Sequence, residues 1–360
     1  CTLRLLTLLQ ISIHTSAREV TQHKTKVQNI FSHFNPHFRK GSDSVGRRVE
    51  LLQAFRAAAE KLDIALTVMG ADITKSAPAL FFCDERRLVC KIQEKEYIPQ
   101  LLSICEKEKV DCLIPTIDTD LLLLAENKEK FEAIGTKVLI SAVDKIKLCR
   151  DKNYTADYFV SLGLKSPLPV NSVEKYEEAL KRGKVSFPAF IKPKDGSSSI
   201  NAYKVENLED LRLYAEKIED YIIQPFISGR EYTIDIFCDY EGNPVYITPR
   251  ERLAVRSGEV LKSRITQDDT MIAEMRRLIA DYRPCGQITV QLIREDVTGD
   301  DYYIEINPRF GGGAPLSMKA GADSASAILR MLRGDKLSYI ERAAIDGAIY
   351  SRYDQSVRVK

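Results

Sequence analysis

The sequence predicts a mixed α/β protein, a doubly wound parallel sheet followed by a strand-rich α+β portion. Three observations carry this. Between residues 65 and 141, short apolar runs alternate with stretches of helical periodicity. Further on, strands come in pairs joined by breaks, in SFPAFIKPKDGSSSINAYKV (186–205) and YIIQPFISGREYTIDIF (221–237). Near the end, ITVQLI (288–293) and YYIEINPRFGGG (302–313) alternate apolar and polar residues as strands do. At 360 residues the chain has room for two or three units of about 100–200 residues each.

Residues 1–43 differ from the rest. The first 40 hold six Lys/Arg, one acid (Glu19) and no glycine. An Arg-bearing, acid-poor start fits an organellar transit peptide, but it lacks a clear amphipathic face. It is expected instead to be foreign sequence ahead of the true start, with no part in mechanism. Organised sequence begins near Ser44. SVGRRVELLQAFRAAAEKL turns at Gly46 into a helix, with Val49, Leu52, Phe55 and Ala59 at helical spacing. There follow a strand (65–72), a short apolar piece around Leu80–Phe82, a helix (97–109), a strand (111–118), a helix (119–131) and a strand (136–141). Ligands of such sheets sit beyond the C-terminal strand ends, where Gly46, Arg47, Thr116 and Asp118 fall. Turn and helix-cap chemistry accounts for these four equally well. The pattern also asks for a strand before Ser44; FRKGSD is not one, so the first strand is expected to be missing or replaced.

DKIKLCRDKNYTADYFVSLGL (144–164) reads as a helix with Lys152 in its middle, and Pro167 and Pro169 as a connector. Lys192 and Lys194 then flank Pro193 at a strand end, before the turn Asp195, Gly196, Ser197, Ser198, Ser199. Glycine-serine loops let backbone N–H groups approach phosphate oxygens, and adjacent lysines offset the charge. The run matches neither G-x-x-x-x-G-K-[ST] nor G-x-G-x-x-G, and a plain surface hairpin would look the same. Gln224-Pro225-Phe226-Ile227 interrupts the next strand pair where a planar base could dock, although Phe226 and Ile227 suit a core equally. Glu231 follows a Ser-Gly turn as a candidate ribose-hydroxyl acceptor. On the last strands, Gln291, Glu305 and Asn307 could converge, Glu305 and Asn307 sharing a face because they are two apart. Carboxylate and amide oxygens of this kind hold hard cations such as Mg²⁺ beside phosphate; a solvated polar face is the plain alternative. Pro308 then leads into three glycines, expected to form a flexible, phosphate-sized loop.

Composition narrows the chemistry. All four histidines (His14, His23, His33, His37) lie in the first 40 residues, which removes His-based triads and histidine zinc sites from the body. Carboxylates, lysines, arginines and amides suit phosphoryl transfer, where positioning and charge neutralisation carry the catalysis. The eight cysteines contain no C-x-x-C and read as reduced core residues of a cytoplasmic protein. A net charge of +2 gives no electrostatic case for nucleic acid, and no apolar run of 18 residues offers a membrane span.

In order, Lys192 before a Gly/Ser loop, Q-P-F-I-S-G-x-E, V-Q-L and E-I-N-P-R resemble the ATP-grasp superfamily, and within it carbamoyl-phosphate synthase large-subunit-like proteins. The resemblance covers about residues 44–335. It implies a Rossmann-like pre-ATP-grasp domain (44–143) and a two-lobed ATP-grasp domain (144–335, smaller lobe about 150–223), with the tail 336–360 packing back on the core. It also implies ATP and Mg²⁺, with Mn²⁺ able to replace it. Lys152 and Lys192 would contact nucleotide phosphates, with Lys194 beside them and Gly196, Ser197 and Ser198 closing over them. Gln224 and Ile227, with Phe226, would flank adenine and Glu231 would take the ribose. Gln291, Glu305 and Asn307 would bind metal. Arg309 would lie beside the γ-phosphate or an acyl phosphate, and Arg256, more loosely aligned, would face the phosphates. Relatives often carry an acid where Gln224 stands, and GGG replaces the serine-rich run of the synthase. The chain is about a third of a full synthase subunit, which argues against complete carbamoyl-phosphate synthesis.

The implied reaction is ADP-forming carbon–nitrogen ligation: a substrate carboxylate becomes an acyl phosphate, which an amine then attacks. A non-catalytic nucleotide-binding or synthase-associated subunit, and a kinase on the same fold, remain alternatives. The expected partners are small-molecule carboxylates and amines and, as among relatives, a second copy in a homodimer; neither nucleic acid nor membrane is expected. Arg250, Arg252, Arg256 and Arg264 in PRERLAVRSGEVLKSR are expected to face anionic ligands, with at least two of them paired to Glu251 or Glu259 instead.

Overall fold

A computed structural model describes residues 46–194, 201–256 and 258–358, together with the strands at 4–8, 11–13 and 25–33. The N-terminal portion opens with β1 (Arg4–Leu8), β2 (Ile11–Ile13) and β3 (Thr25–His33). Helix α1 (Gly46–Lys61), β4 (Met69–Asp72), a 3₁₀ turn (Pro78–Phe82), β5 (Glu85–Leu88) and α2 (Tyr97–Glu108) follow. Then come β6 (Cys112–Pro115), α3 (Leu121–Glu126), α4 (Lys128–Ala133) and β7 (Lys137–Val138). The pairs β3–β6, β6–β7 and β4–β5 are all parallel, as the alternation implies, but β4 and β5 form a two-stranded sheet of their own, and β1 and β2 join β3 antiparallel. The strand wanting before Ser44 is β3, whose Gln28 sits opposite Leu113. Two details differ from expectation. The helix expected over 119–131 breaks at Asn127, and the charged ERRL forms β5.

The chain continues through α5 (Val143–Arg150) and α6 (Lys152–Ser161), separated by Asp151. Lys152 is therefore the first residue of a helix, not the middle of one. The cause is local: the Asp151 carboxylate caps α6 by accepting from the Asn153 amide at 2.9 Å. A small antiparallel sheet follows, ordered β10-β8-β9, from β8 (Ala189–Pro193), β9 (Tyr203–Val205) and β10 (Tyr221–Pro225). It is backed by α7 (Val173–Lys181) and α8 (Leu208–Ala215), with a core of its own that includes Tyr176, Ile191, Leu211 and Ile223.

The last layer is a six-stranded antiparallel sheet in the order β15-β14-β11-β12-β13-β16. Its strands are β11 (Gly229–Cys238), β12 (Pro244–Arg256), β13 (Glu259–Ile265), β14 (Gly286–Glu295), β15 (Asp301–Asn307) and β16 (Ile349–Ser351). One face packs on α9 (Asp269–Tyr282) through Ile234, Ile236, Met275, Leu278 and Val290. Phe159 of α6 also docks on this sheet, its ring 5.3 Å from that of Tyr303. Helices α10 (Ala314–Ala320) and α11 (Ser324–Leu332) pack with α1, so Phe55, Phe310, Met318 and Ile328 share one core. Alternation along β14 turns Val290 and Leu292 inward and leaves Gln291 on the opposite face, and a bulge in its pairing with β15 lets Tyr303 stay buried while Glu305, two residues on, sits opposite Gln291.

Candidate nucleotide and phosphoryl-transfer site

Glu305 and Gln291 are direct partners across β14 and β15. Asn307 Nδ2 donates to Glu305 Oε1 at 2.8 Å. With its amide turned to satisfy both ends, Gln291 Nε2 donates to the same oxygen at 2.7 Å and its Oε1 accepts from Arg252 Nη1 at 2.7 Å. The structure thus brings the predicted trio together as one contact set. Arg309 Nη2 donates to Asn307 Oδ1 at 3.1 Å and to Asp118 Oδ2 at 2.9 Å. Its Nε is buried with no hydrogen-bond partner among the described residues, a donor with spare capacity for an anion.

The other wall is lysine. Lys192, near the end of β8, is almost fully buried, and burial pushes its ammonium down to about 8; the Glu305 charge holds it up and the like charge of Lys152 pushes it down further. Lys152 Nζ donates to the Lys194 carbonyl at 3.2 Å, and Lys194 Nζ pairs with Asp151 at 3.2 Å. The start of α6 is thereby tied to the strand end twice, by Asp151 to the Lys194 side chain and by Lys152 to the Lys194 carbonyl. Gly196, Ser197 and Ser198 lie outside the described residues.

Where a base was expected, Phe226 faces Phe190 with ring centroids 6.5 Å apart, and Lys204 Nζ stands 4.7 Å from the Phe226 ring centre. Ile227 is half-buried next to it. Gln224 is buried, and its side-chain amide donates to the Pro167 carbonyl. That contact holds the connector to β10 and employs the amide group the sequence left free for a base. Glu231 is exposed and pairs with Arg252 Nε at 3.1 Å.

Two expectations are corrected, that of the glycine loop and that of Arg250. The triple glycine is not a flexible loop. A Cβ on Gly311 would fall 2.9 Å from Thr289 Oγ1, one on Gly312 2.3 Å from Glu259 Oε2, and one on Gly313 2.7 Å from Arg250 Nη2. Gly311 and Gly313 are pressed onto the sheet at Thr289 and Arg250, where a side chain has little room, whereas Gly312 faces the movable end of Glu259. Arg250 faces no ligand: it is fully buried, with Nε 2.7 Å from Asp235 Oδ2 and Nη1 3.2 Å from Ser263 Oγ. Arg264 pairs with Glu251 at 3.6 Å and exposed Arg256 with Asp354 at 3.6 Å, so of the four arginines Arg252 alone is shown bonded to the trio.

A residue that sequence reasoning missed is Arg48, in the first turn of α1. Its Nη1 donates to the Phe310 carbonyl at 3.0 Å and its Nη2 to the Thr116 carbonyl at 2.5 Å. Burial, then the like charge of Arg309, pulls its guanidinium down to about 10. Nothing in R-R-V-E separates it from a solvated helical arginine; only the third dimension does.

The metal donors available are one carboxylate and two amides, the hard-oxygen chemistry that suits Mg²⁺ in partnership with substrate phosphates. No cluster of three His, Cys, Asp or Glu that could hold a metal by itself occurs among the described residues. The residues therefore fit a cation shared with phosphate and not one in an all-protein cage. No helix among the described residues is long and apolar enough to cross a membrane.

Residues 43–139 match the PylC-like N-terminal domain family and residues 149–313 the ATP-grasp domain family. The chain is 26% identical over 279 residues to the N-terminal section of the carbamoyl phosphate synthase large chain of Aquifex aeolicus, covering 69% of this chain and 48% of that one. It is 26% identical over 188 residues to D-alanine--D-alanine ligase of Francisella philomiragia, covering 49% of this chain and 62% of the ligase. The chain thus spans less than half of the Aquifex relative. Among solved structures, the biotin carboxylase domain of Hydrogenobacter thermophilus 2-oxoglutarate carboxylase, a dimer in complex with MgADP, ADP and bicarbonate, superposes with a TM-score of 0.64 at 15% identity, covering 85% of this chain and 71% of that one. N5-carboxyaminoimidazole synthetase of Staphylococcus aureus complexed with ADP gives 0.62 at 17% identity, covering 83% and 77%. Two family models match in succession: the chain carries an ATP-grasp domain with a PylC-like N-terminal domain ahead of it, and carbamoyl phosphate synthase large chains are among its relatives.

Proposed function

We propose that this protein is an ATP-dependent, ADP-forming carbon–nitrogen ligase that activates a small-molecule carboxylate and passes it to an amine. The observation that carries this reading is the Glu305 carboxylate, which shares hydrogen bonds with Gln291 and Asn307 next to Arg309 and acts electrostatically on buried Lys192. A carboxylate oxygen of the substrate attacks the γ-phosphorus, the bridging P–O bond breaks, and ADP leaves. The amine nitrogen then attacks the acyl carbon, the C–O bond to phosphate breaks, and the nitrogen gives up a proton. Both nucleophiles come from the substrates, which agrees with a body that holds no histidine. Lys152 and Lys192 bind the nucleotide phosphates, Phe226 and Ile227 the base, and Glu231 the ribose once released from Arg252. Arg309 offsets charge that develops on the phosphoryl group. Glu305, Gln291 and Asn307 would hold Mg²⁺, which would neutralise phosphate charge. The relatives' names, a synthase, a ligase and a synthetase, support the class. The dimeric neighbour supports a homodimer, and the free cysteines, seven among the described residues, support a reducing, cytoplasmic setting.

The test is ADP release from Mg-ATP across amino acids, small carboxylates and bicarbonate, with product analysis. Substrate-dependent release that yields an amide or peptide supports the ligase. A stable phosphorylated product would show a kinase, and tight binding without release a non-catalytic subunit.

A further inference from the structure

Arg309 is gripped from the N-terminal domain twice. Asp118, just beyond the end of β6, takes its side chain at 2.9 Å. Arg48 takes the carbonyl of its neighbour Phe310 at 3.0 Å, while its other terminal nitrogen is fixed on Thr116, also at the end of β6. Beyond Phe310 the loop cannot drift, because Gly311 and Gly313 lie flat against Thr289 and Arg250. Segments from the N-terminal domain and from the large sheet therefore meet on one short loop that follows β15. The arrangement is more than a tie. Arg48 lies close enough to Arg309 for their like charges to oppose each other. The two guanidiniums are part-buried, with Asp118 and Glu259 offsetting their charge in part. They are useful where negative charge develops on a reacting group.

We infer that Arg48 and Asp118 are positioning residues that fix Arg309 against the reacting phosphoryl group, so that the N-terminal domain sets the geometry of catalysis in the neighbouring domain. The inference rests on the ligase reading. Asp118 holds the guanidinium in its plane, and Arg48 holds the main chain that carries it. Asp118→Asn keeps size and loses charge at a partly exposed position, and Arg48→Ala removes the second grip.

The experiment pairs steady-state ADP release by the full chain with the rate at which phenylglyoxal modifies Arg309, followed by peptide mass spectrometry. Asp118→Asn is expected to lower kcat about 10²-fold, the cost of a small misplacement at a reacting centre. KM for ATP and the melting temperature should stay unchanged, and Arg309 should be modified faster. Guanidinium ion at millimolar concentration should restore part of the turnover of Arg48→Ala, and Arg48→Lys serves if that variant fails to fold. An unchanged kcat with an unchanged modification rate overturns the inference. So does a loss of kcat that is matched by loss of ATP binding and of melting temperature. If the wild type releases no ADP with any substrate, the ligase reading falls, and the modification rate alone decides between held and free Arg309.

Discussion

Two buried cationic groups, Arg250 and Lys192, show how differently one protein can treat charge. Arg250 is closed: Asp235 takes Nε, Ser263 takes Nη1, and Gly313 is pressed against the guanidinium. Lys192 is open: burial and Lys152 push its ammonium down to about 8, and Glu305 answers only part of that. A buried charge with every donor matched is scaffold. One left short of counter-charge is a place where a ligand can finish the work.

That contrast breaks most visibly if Glu305 is removed. Glu305→Ala should lower ADP release by roughly 10³-fold, the scale of losing a main electrostatic group, with the denaturation midpoint little changed because Glu305 is only half-buried; retained turnover would sink the metal assignment. Arg250→Ala should do the reverse. It strands Asp235 and should cost about 3–5 kcal/mol in urea unfolding, and a loss under about 1 kcal/mol would mean the pair is not the closed unit described here. Gly313→Ala asks the same of the loop. Its Cβ would meet both terminal nitrogens of Arg250, at 2.7 and 2.8 Å, so about 1–3 kcal/mol of overpacking is expected. A neutral result would restore the flexible-loop reading. The smallest effect is in pH. Lys192 is charged below about 8 and neutral above it. Bound phosphate favours the charged form, so ATP affinity should be full below that point and weaken as pH rises through it, with proton uptake on binding in calorimetry. A flat profile from pH 7 to 9 would show that Lys192 carries no phosphate.

The part of this contrast that sequence could reveal is the open half. Glu305 and Asn307 are two apart on a strand, and period two alone puts them on one face. Lys192 ends a strand before a glycine-serine run. The closed half depends on pairing between strands: Arg250 sits opposite Thr233, and Asp235 opposite Thr248, so the ion pair is diagonal across β11 and β12. From one strand at a time, Arg250 looked like its exposed neighbours. The glycines misled for a related reason, since a run chosen for closeness reads the same as one chosen for freedom. The break at Asp151 was legible as an N-cap but was hidden by apolar periodicity on both sides, and β5 was hidden by its two arginines. Arg48 left no local trace, because its role exists only where residues 48, 116 and 310 come together.

The core shared by α1, α10 and α11 has a mechanical consequence. Phe55 from the first domain and Phe310 from the last layer meet edge to face at 6.4 Å within one apolar mass. The sheet of β8, β9 and β10 instead carries its own small core. Heating or denaturant should therefore not peel the doubly wound half away from the large sheet; those two melt together, and the lobe that bears Lys192 is the piece able to loosen alone. A gene split near residue 140 should yield two insoluble fragments, whereas a protease that finds a soft point should find it at the borders of that lobe.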